Sequence, residues 1–360
     1  MIIVLLVGTF VAGRIQLNEY AITPGQAQAV GPLVKVPSDR SHRIDGSILL
    51  TDVYLTRVSL LSDLPDRLNG DAQMIPATAL LGPSTPATEL TAQGYLTMAE
   101  AQSAAKAAAL TRLGDKVSEH DAGTLVFSVT ARSPAASHLK VGQIITAVDG
   151  TPTPNECAFE AALAPHTPGD TVSLSVEQST VTPDAVQKTG PTKVEQVRLA
   201  RRPASAGASS SGCPGVTSSS TGYLGVELKT QQDYTDPVHV SVDTRTIGGP
   251  SAGLAMTLAI IDKLYGGDLT GGHAVAATGT ISPTGAVGDV GGVREKTVAV
   301  ERAGATAFLV PPDEYPTAKA KDIPSLHIYK VATLADALSV LRHLGGRVPP
   351  PPSGATATKA

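Results

Sequence analysis

Ser251 lies in Gly249-Pro250-Ser251-Ala252-Gly253, directly ahead of the apolar run LAMTLAIIDKL. A serine before a helix most simply caps it, its hydroxyl accepting from the first free amides. On a tight Pro/Gly turn it can instead present its oxygen as a nucleophile. The helix-start amides then face a developing oxyanion. The second use needs a base, because a hydroxyl attacks only when something takes its proton.

Histidine is the first partner to weigh. The five residues fit G-x-S-x-G, the nucleophile elbow of α/β-hydrolase esterases, which requires an acid and then a histidine later in the chain. Asp289, Asp313, Asp322 and Asp336 could supply the acid, with His327 or His343 behind them. Neither histidine stands in a Gly-rich turn, His343 lies beside Arg342 on a predicted surface helix, and the strands upstream are too few for that fold.

Lysine is the second. A Ser–Lys dyad needs an amine that is neutral at working pH, and burial against apolar walls depresses an ammonium pKa. The region holds Lys229, Lys263, Lys296, Lys319, Lys321 and Lys330. Lys229 sits beside polar Thr230 and Gln231, and Lys319 and Lys321 lie in a polar run. Lys263 is about three turns along the helix that Ser251 opens, out of its reach. Lys296 ends GAVGDVGGVREK and leads the helix TVAVERAGA, where the positive end of the macrodipole disfavours its charge.

The elements that must position this pair follow from patterning. A helix is expected over 252–265 and another at about 292–303, with strands at YLGVELKT, PVHVSVDT, TAFLVPP and LHIYKV and a last helix at LADALSVLRHL. Upstream, GSILLTDVYLTRVSL reads as strand and an Ala-rich helix is expected at about 98–113. Residues 121–200 have a separate texture of strand, turn, strand pair, helix and strand. Strands alternating with helices make the class α+β or α/β.

Two blocks carry a family resemblance. IGGPSAGLAMTLAIIDKL followed by GTISPTGAVGDVGGVREKTVAVERAGATAFLVP resembles the proteolytic domain of the Lon peptidases, through roughly residues 222–345. The resemblance implies Ser251 as nucleophile, Lys296 as general base and Thr278 as the hydroxyl that positions the amine. The place of the serine at the helix start makes the Ser251 and Ala252 amides the expected oxyanion donors. The family often has an acidic residue before the motif, whereas this chain has Ile247-Gly248-Gly249. Its ATPase module is not matched, since no G-x-x-x-x-G-K-[ST] occurs, so neither nucleotide nor other cofactor is expected. RSPAASHLKVGQIITAVDGTP resembles bacterial PDZ domains, with Gln143 where Asp is usual. Such domains bind an extended peptide along a sheet edge.

Together these resemble the membrane-tethered PDZ–Lon peptidases of bacteria. The implied fold class is α+β, a Lon-type proteolytic domain with an inserted PDZ domain and an N-terminal membrane anchor. The expected divisions are an anchor at 1–22, the first part of the Lon-like fold at 30–120, the PDZ domain at 121–200, a Ser-rich flexible linker at 201–221, the catalytic part at 222–345 and a disordered tail at 346–360. MIIVLLVGTFVAG is apolar but shorter than a bilayer span, so the anchor's start is placed upstream of Met1. The expected location is the cell membrane, single-pass, with both domains outside the cytoplasm. The expected activity is ATP-independent endoproteolysis of unfolded or membrane-protein segments offered through the PDZ domain, and the family allows assembly of copies into rings.

Composition sets the limits on other readings. A net charge of −4 and 3% aromatic residues provide neither a basic stripe nor stacking surfaces for nucleic acid. Cys157 and Cys213 have no metal-ligand spacing, and Cys213 lies in the Ser-rich run, so two inert thiols are expected and no metal. The rival classes are the esterase and a PDZ peptide-binding scaffold with a silent protease domain.

Overall fold

The computed structural model describes residues 16–59, 72–81, 89–182, 186–204, 213, 222–266 and 268–351. One mixed sheet carries the site. Its strands are β1 (Gln16–Ala29), β2 (Ser47–Ser59), β3 (Gln73–Pro76), then, after a long interval, β9 (Ala274–Ala277), β10 (Ala307–Val310) and β11 (His327–Lys330). Their spatial order is β11-β10-β9-β2-β1-β3. The first-half strands pair antiparallel, whereas β9 lies parallel between β2 and β10 and β10 runs parallel to β11.

Alternation along these strands makes two cores. Ile48, Leu50, Val275, Ala277 and Leu309 face one way, into a core shared with helices α1 (Leu90–Arg112), α3 (Gly253–Tyr265) and α5 (Leu334–His343). Leu49, Ala276, Phe308 and Val310 face the other way, against Val293 and Val300 of α4 (Val293–Arg302). Successive side chains of a strand point to opposite faces, so near-continuous aliphatic runs give a sheet covered on both sides.

Between β3 and β9 the chain builds a second body with its own core of Val126, Ile145, Phe159, Leu174, Val197 and Leu224. Its sheet comprises β4 (Ser118–Val129), β5 (Ile144–Val148), β6 (Thr171–Glu177), β7 (Lys193–Arg198) and β8 (Val226–Thr235), in the order β7-β6-β5-β4-β8. Helix α2 (Glu156–Leu163) is capped by Asn155, whose side chain accepts from Ala158 N at 2.9 Å.

Several expectations change. The strand YLGVELKT, expected with the catalytic part, pairs with β4 and completes the inserted sheet. Helix α1 begins at Leu90 rather than near 98, running straight through Gly94. Cys157 and Cys213 form a disulfide with Cα atoms 5.3 Å apart, replacing the expected pair of inert thiols. The pairing is spatial: the fold returns residue 213 to α2 although 56 positions separate the two cysteines. The last residues of the expected anchor, 16–22, belong to β1, and residues 1–15 lie outside the described ones. Among the described residues no helix is long and apolar enough to cross a membrane. Residues 205–212 and 214–221 of the expected linker also lie outside them. The expected disordered tail is held at its start, where Arg347 N donates to Asp268 O at 2.8 Å and the Arg112 guanidinium to Pro349 O at 2.7 Å.

Candidate functional site

The site forms at the carboxyl end of β9, where a central parallel strand ends and both faces of the sheet become accessible, the usual position for function in sheets of this kind. Thr278 is the first residue past β9, its amide held by Leu309 O at 3.0 Å. Ser251 approaches from one face, Lys296 from the other.

Ser251 is half-buried in the 3-10 turn Pro250–Ala252 that opens into α3. Proline suits this first turn because its fixed φ is helical and its missing N–H has no use there. The turn is pinned by Gly279, whose amide donates to Ser251 O at 3.0 Å while its own carbonyl accepts from Leu254 N at 3.1 Å. Gly253 is required by contact. A Cβ there would come within 2.9 Å of Ile281 N, closer than real Cβ atoms approach backbone.

Lys296 is 2% exposed, among the largest fully buried side chains of the molecule. Its helix α4 starts after Gly292, which has φ 69°, and Lys296 N donates to Gly292 O at 2.9 Å. A side chain at 292 would also press on Val53 Cγ1, 3.0 Å away. The Lys296 amine donates to Thr278 Oγ1 at 3.1 Å, and that hydroxyl donates to the Ser251 carbonyl at 3.3 Å. Burial removes solvation from the ammonium and lowers its pKa from 10.5 to about 8, opposed by the negative charges of Glu314 and Asp52.

Sequence reasoning missed those two carboxylates. Asp52 lies on β2 and accepts from Gln26 N at 2.6 Å, where the β1–β2 register shifts between Pro24 and Ala27. Its pKa is raised by burial, against the opposing effects of that amide and of Lys296. Glu314 precedes the short helix Tyr315–Lys319, and burial raises its pKa too, against the Val290 amide and Lys296. Neither residue lies in a recognisable motif; the strand and the turn bring them in from different parts of the chain.

The other candidates fall elsewhere. His327 and His343 are exposed, as are Asp289, Asp313, Asp322 and Asp336. Asp336 is engaged in the capping box of α5 with Thr333. Lys263 donates to Gly31 O and Val34 O at the far end of α3. Lys229 lies 4.0 Å from the centre of the Phe127 ring and 3.4 Å from Glu100 Oε2. Lys319 and Lys330 are exposed beside Tyr315. The described residues contain no cluster of metal-ligating side chains.

Two parts of the chain match known domain families. Residues 208–341 match the Lon protease (S16) C-terminal proteolytic domain, and residues 111–188 match the PDZ domain. Lon protease 1 of Herpetosiphon aurantiacus is 40% identical over 87 residues, 24% of this chain and 10% of that protein. Lon protease 1 of Sorangium cellulosum is 35% identical over 121 residues, 32% of this chain and 14% of that protein. The chain thus spans a small fraction of the curated relatives it matches. The PDZ domain of the SdrC-like protein of Listeria monocytogenes aligns at 22% identity and a TM-score of 0.21, covering 30% of this chain and 87% of that one. The segment that gathers Ser251, Thr278 and Lys296 is a Lon-type (S16) proteolytic domain, and the body inserted ahead of it is a PDZ domain.

Proposed function

We propose that the chain is a serine endopeptidase working through a Ser251–Lys296 dyad without ATP, on extended segments of unfolded proteins presented by the PDZ domain. The observation that carries this reading is the buried Lys296 amine, brought to a pKa of about 8 and bonded to Thr278, which also touches Ser251. A lysine with that pKa is neutral in about one molecule in ten at pH 7 and in about half at pH 8, far more than an ordinary lysine. The neutral amine is the form a general base uses.

The Ser251 hydroxyl proton passes to Lys296 Nζ as Oγ bonds to the substrate carbonyl carbon. The resulting oxyanion lies against the opening turn of α3, the helix end where N–H groups lack intrahelical acceptors, with the Ser251 and Ala252 amides nearest. The ammonium returns its proton to the departing amine as the C–N bond breaks, leaving an acyl-enzyme on Ser251. Lys296 then takes a proton from water, which attacks the ester and restores the serine. Thr278, accepting from the amine, keeps its lone pair turned toward the serine.

The Cys157–Cys213 disulfide supports placing both domains outside the cytoplasm, because such bonds persist in oxidising compartments. These 360 residues contain no nucleotide-binding loop, and hydrolysis without ATP, on segments already unfolded, is proposed accordingly. The test is casein cleavage without nucleotide by the wild type, Ser251→Ala and Lys296→Ala. Cleavage by the wild type alone is expected; activity retained by either variant overturns the dyad.

A further inference from the structure

The opening turn of α1 lies between the two bodies and touches both. Glu89 Oε2 accepts from Val129 N at 3.4 Å, and Gln93 Nε2 donates to Phe127 O at 3.3 Å, both on β4 of the PDZ sheet. The neighbouring residue, Gly94, faces the other way, and its carbonyl accepts from Gly249 N at 2.7 Å. Gly249 is two residues from Ser251. One turn of helix thus spans the whole distance from the PDZ sheet to the serine turn.

Both joints are specific. On the PDZ side, β8 Glu227 pairs with Ser128 while the next residue, Leu228, pairs with Val126, so Phe127 is the extra residue of a β-bulge. A bulged residue leaves the ladder, which frees its carbonyl for Gln93. Lys229 of β8 stacks on the Phe127 ring and reaches Glu100 of α1, tying β8 to the same helix. On the serine side, backbone meets backbone: a Cβ on Gly248 would lie 3.1–3.3 Å from the Cα, C and O of Gly94. The Thr97 hydroxyl also donates to Gly94 O, at 3.0 Å. Among the described residues β8 is the outer strand of its sheet and pairs with β4, whose Phe127 carries the bulge.

We infer that Gln93 and Gly94 form a relay that sets the Ser251 turn from the PDZ sheet, Gln93 reading the Phe127 bulge and Gly94 positioning Gly249. As regulation of the serine, this rests on the reading of Ser251 as nucleophile. Gln93 is a positioning residue and touches no reacting atom.

The test uses the full chain and two readouts: the rate at which a fluorophosphonate acylates Ser251, and amide exchange across residues 246–254. Gln93→Leu removes the bond to the Phe127 carbonyl and leaves the Glu89–Val129 and Lys229–Glu100 contacts in place. It is expected to change both readouts by about five-fold, the size of one neutral hydrogen bond, while the melting temperature holds. Gly248→Ala wedges the other joint, and in the double variant Gln93→Leu is expected to add nothing further, because the relay is already open. Lys106→Ala, which removes the pair with Asp236 elsewhere on α1, is expected to match the wild type. Wild-type behaviour of Gln93→Leu in both readouts, or simple additivity in the double variant, overturns the relay. A wild type that the fluorophosphonate does not label overturns the nucleophile reading, and amide exchange then decides the relay by itself.

Discussion

Lys296 donates its buried amine to Thr278 at 3.1 Å, and Thr278 spends its own proton on the Ser251 carbonyl, so one hydroxyl fixes both members of the proposed dyad. Thr278→Val keeps the shape and removes both bonds. We expect kcat to fall about ten- to a hundred-fold with KM little changed, as for loss of a positioning hydrogen bond. Thr278→Ser should recover most of it. Steady-state kinetics on a fluorogenic peptide checks both.

The pH profile follows from the amine. With a pKa of about 8, Lys296 is increasingly neutral as pH rises through that value, so kcat/KM should climb on its basic side. Glu314 and Asp52 hold the proton on the lysine. Replacing either by its amide removes a negative charge beside the ammonium and lowers its pKa, so the rising limb of Glu314→Gln and Asp52→Asn should move to lower pH. A limb that moves to higher pH would contradict the assignment.

Stability carries the same signature with a definite sign. An unfolded lysine titrates near 10.5 and the folded one near 8, so between those values the unfolded chain holds more protons and folding stability rises with pH. Below about pH 8 the full penalty applies, roughly 3 kcal/mol from the size of the shift. Lys296→Met should therefore unfold at a higher denaturant concentration than wild type at pH 7, and the difference should close as pH approaches 10.

Gly292 holds the helix that carries the lysine. Its φ of 69° and the contact with Val53 make Gly292→Ala strained twice over, at about 1–2 kcal/mol for the backbone conformation. Helix α4 should shift at its first turn. Peptidase activity is expected to drop more than thermal stability does, measured side by side.

The disulfide joins α2 to residue 213 across 56 positions. Reduction, or Cys157→Ser with Cys213→Ser, should destabilise the PDZ body by about 2–4 kcal/mol. Thermal unfolding with and without reductant reads this out, and thiol titration of the oxidised protein should find no reactive cysteine.

Much of the site was legible because its chemistry is local in sequence. The serine turn, the threonine after β9 and the lysine at the start of α4 each sit in a short Gly-rich block, and glycines mark where backbone must approach backbone. What escaped was set by tertiary contact. The Ala-rich run places the helix at about 98–113, yet it begins at Leu90 and passes through Gly94, against which Gly248 packs. YLGVELKT follows the Ser-rich run and reads as the start of the next domain, yet its residues from Val226 onward lie in β8, paired with β4. Asp52 sits in an ordinary strand pattern, and its place at the irregular β1–β2 register beside Gln26 has no signal in the sequence. The cysteines, having no spacing signature, were paired by the return of the chain to α2.

The insertion between β3 and β9 also orders events in time. Strand β9 needs β2 on one side and β10 on the other, and most of the polypeptide emerges from the ribosome between Ser47 and its partner Ala274. The PDZ body, whose strands are nearly contiguous, can collapse while β1 and β2 still wait for their neighbours. Ser251 precedes β9, and Lys296 follows it. The two residues of the proposed dyad therefore cannot meet until the ribosome has passed both Lys296 and the strand β10 that β9 needs beside it.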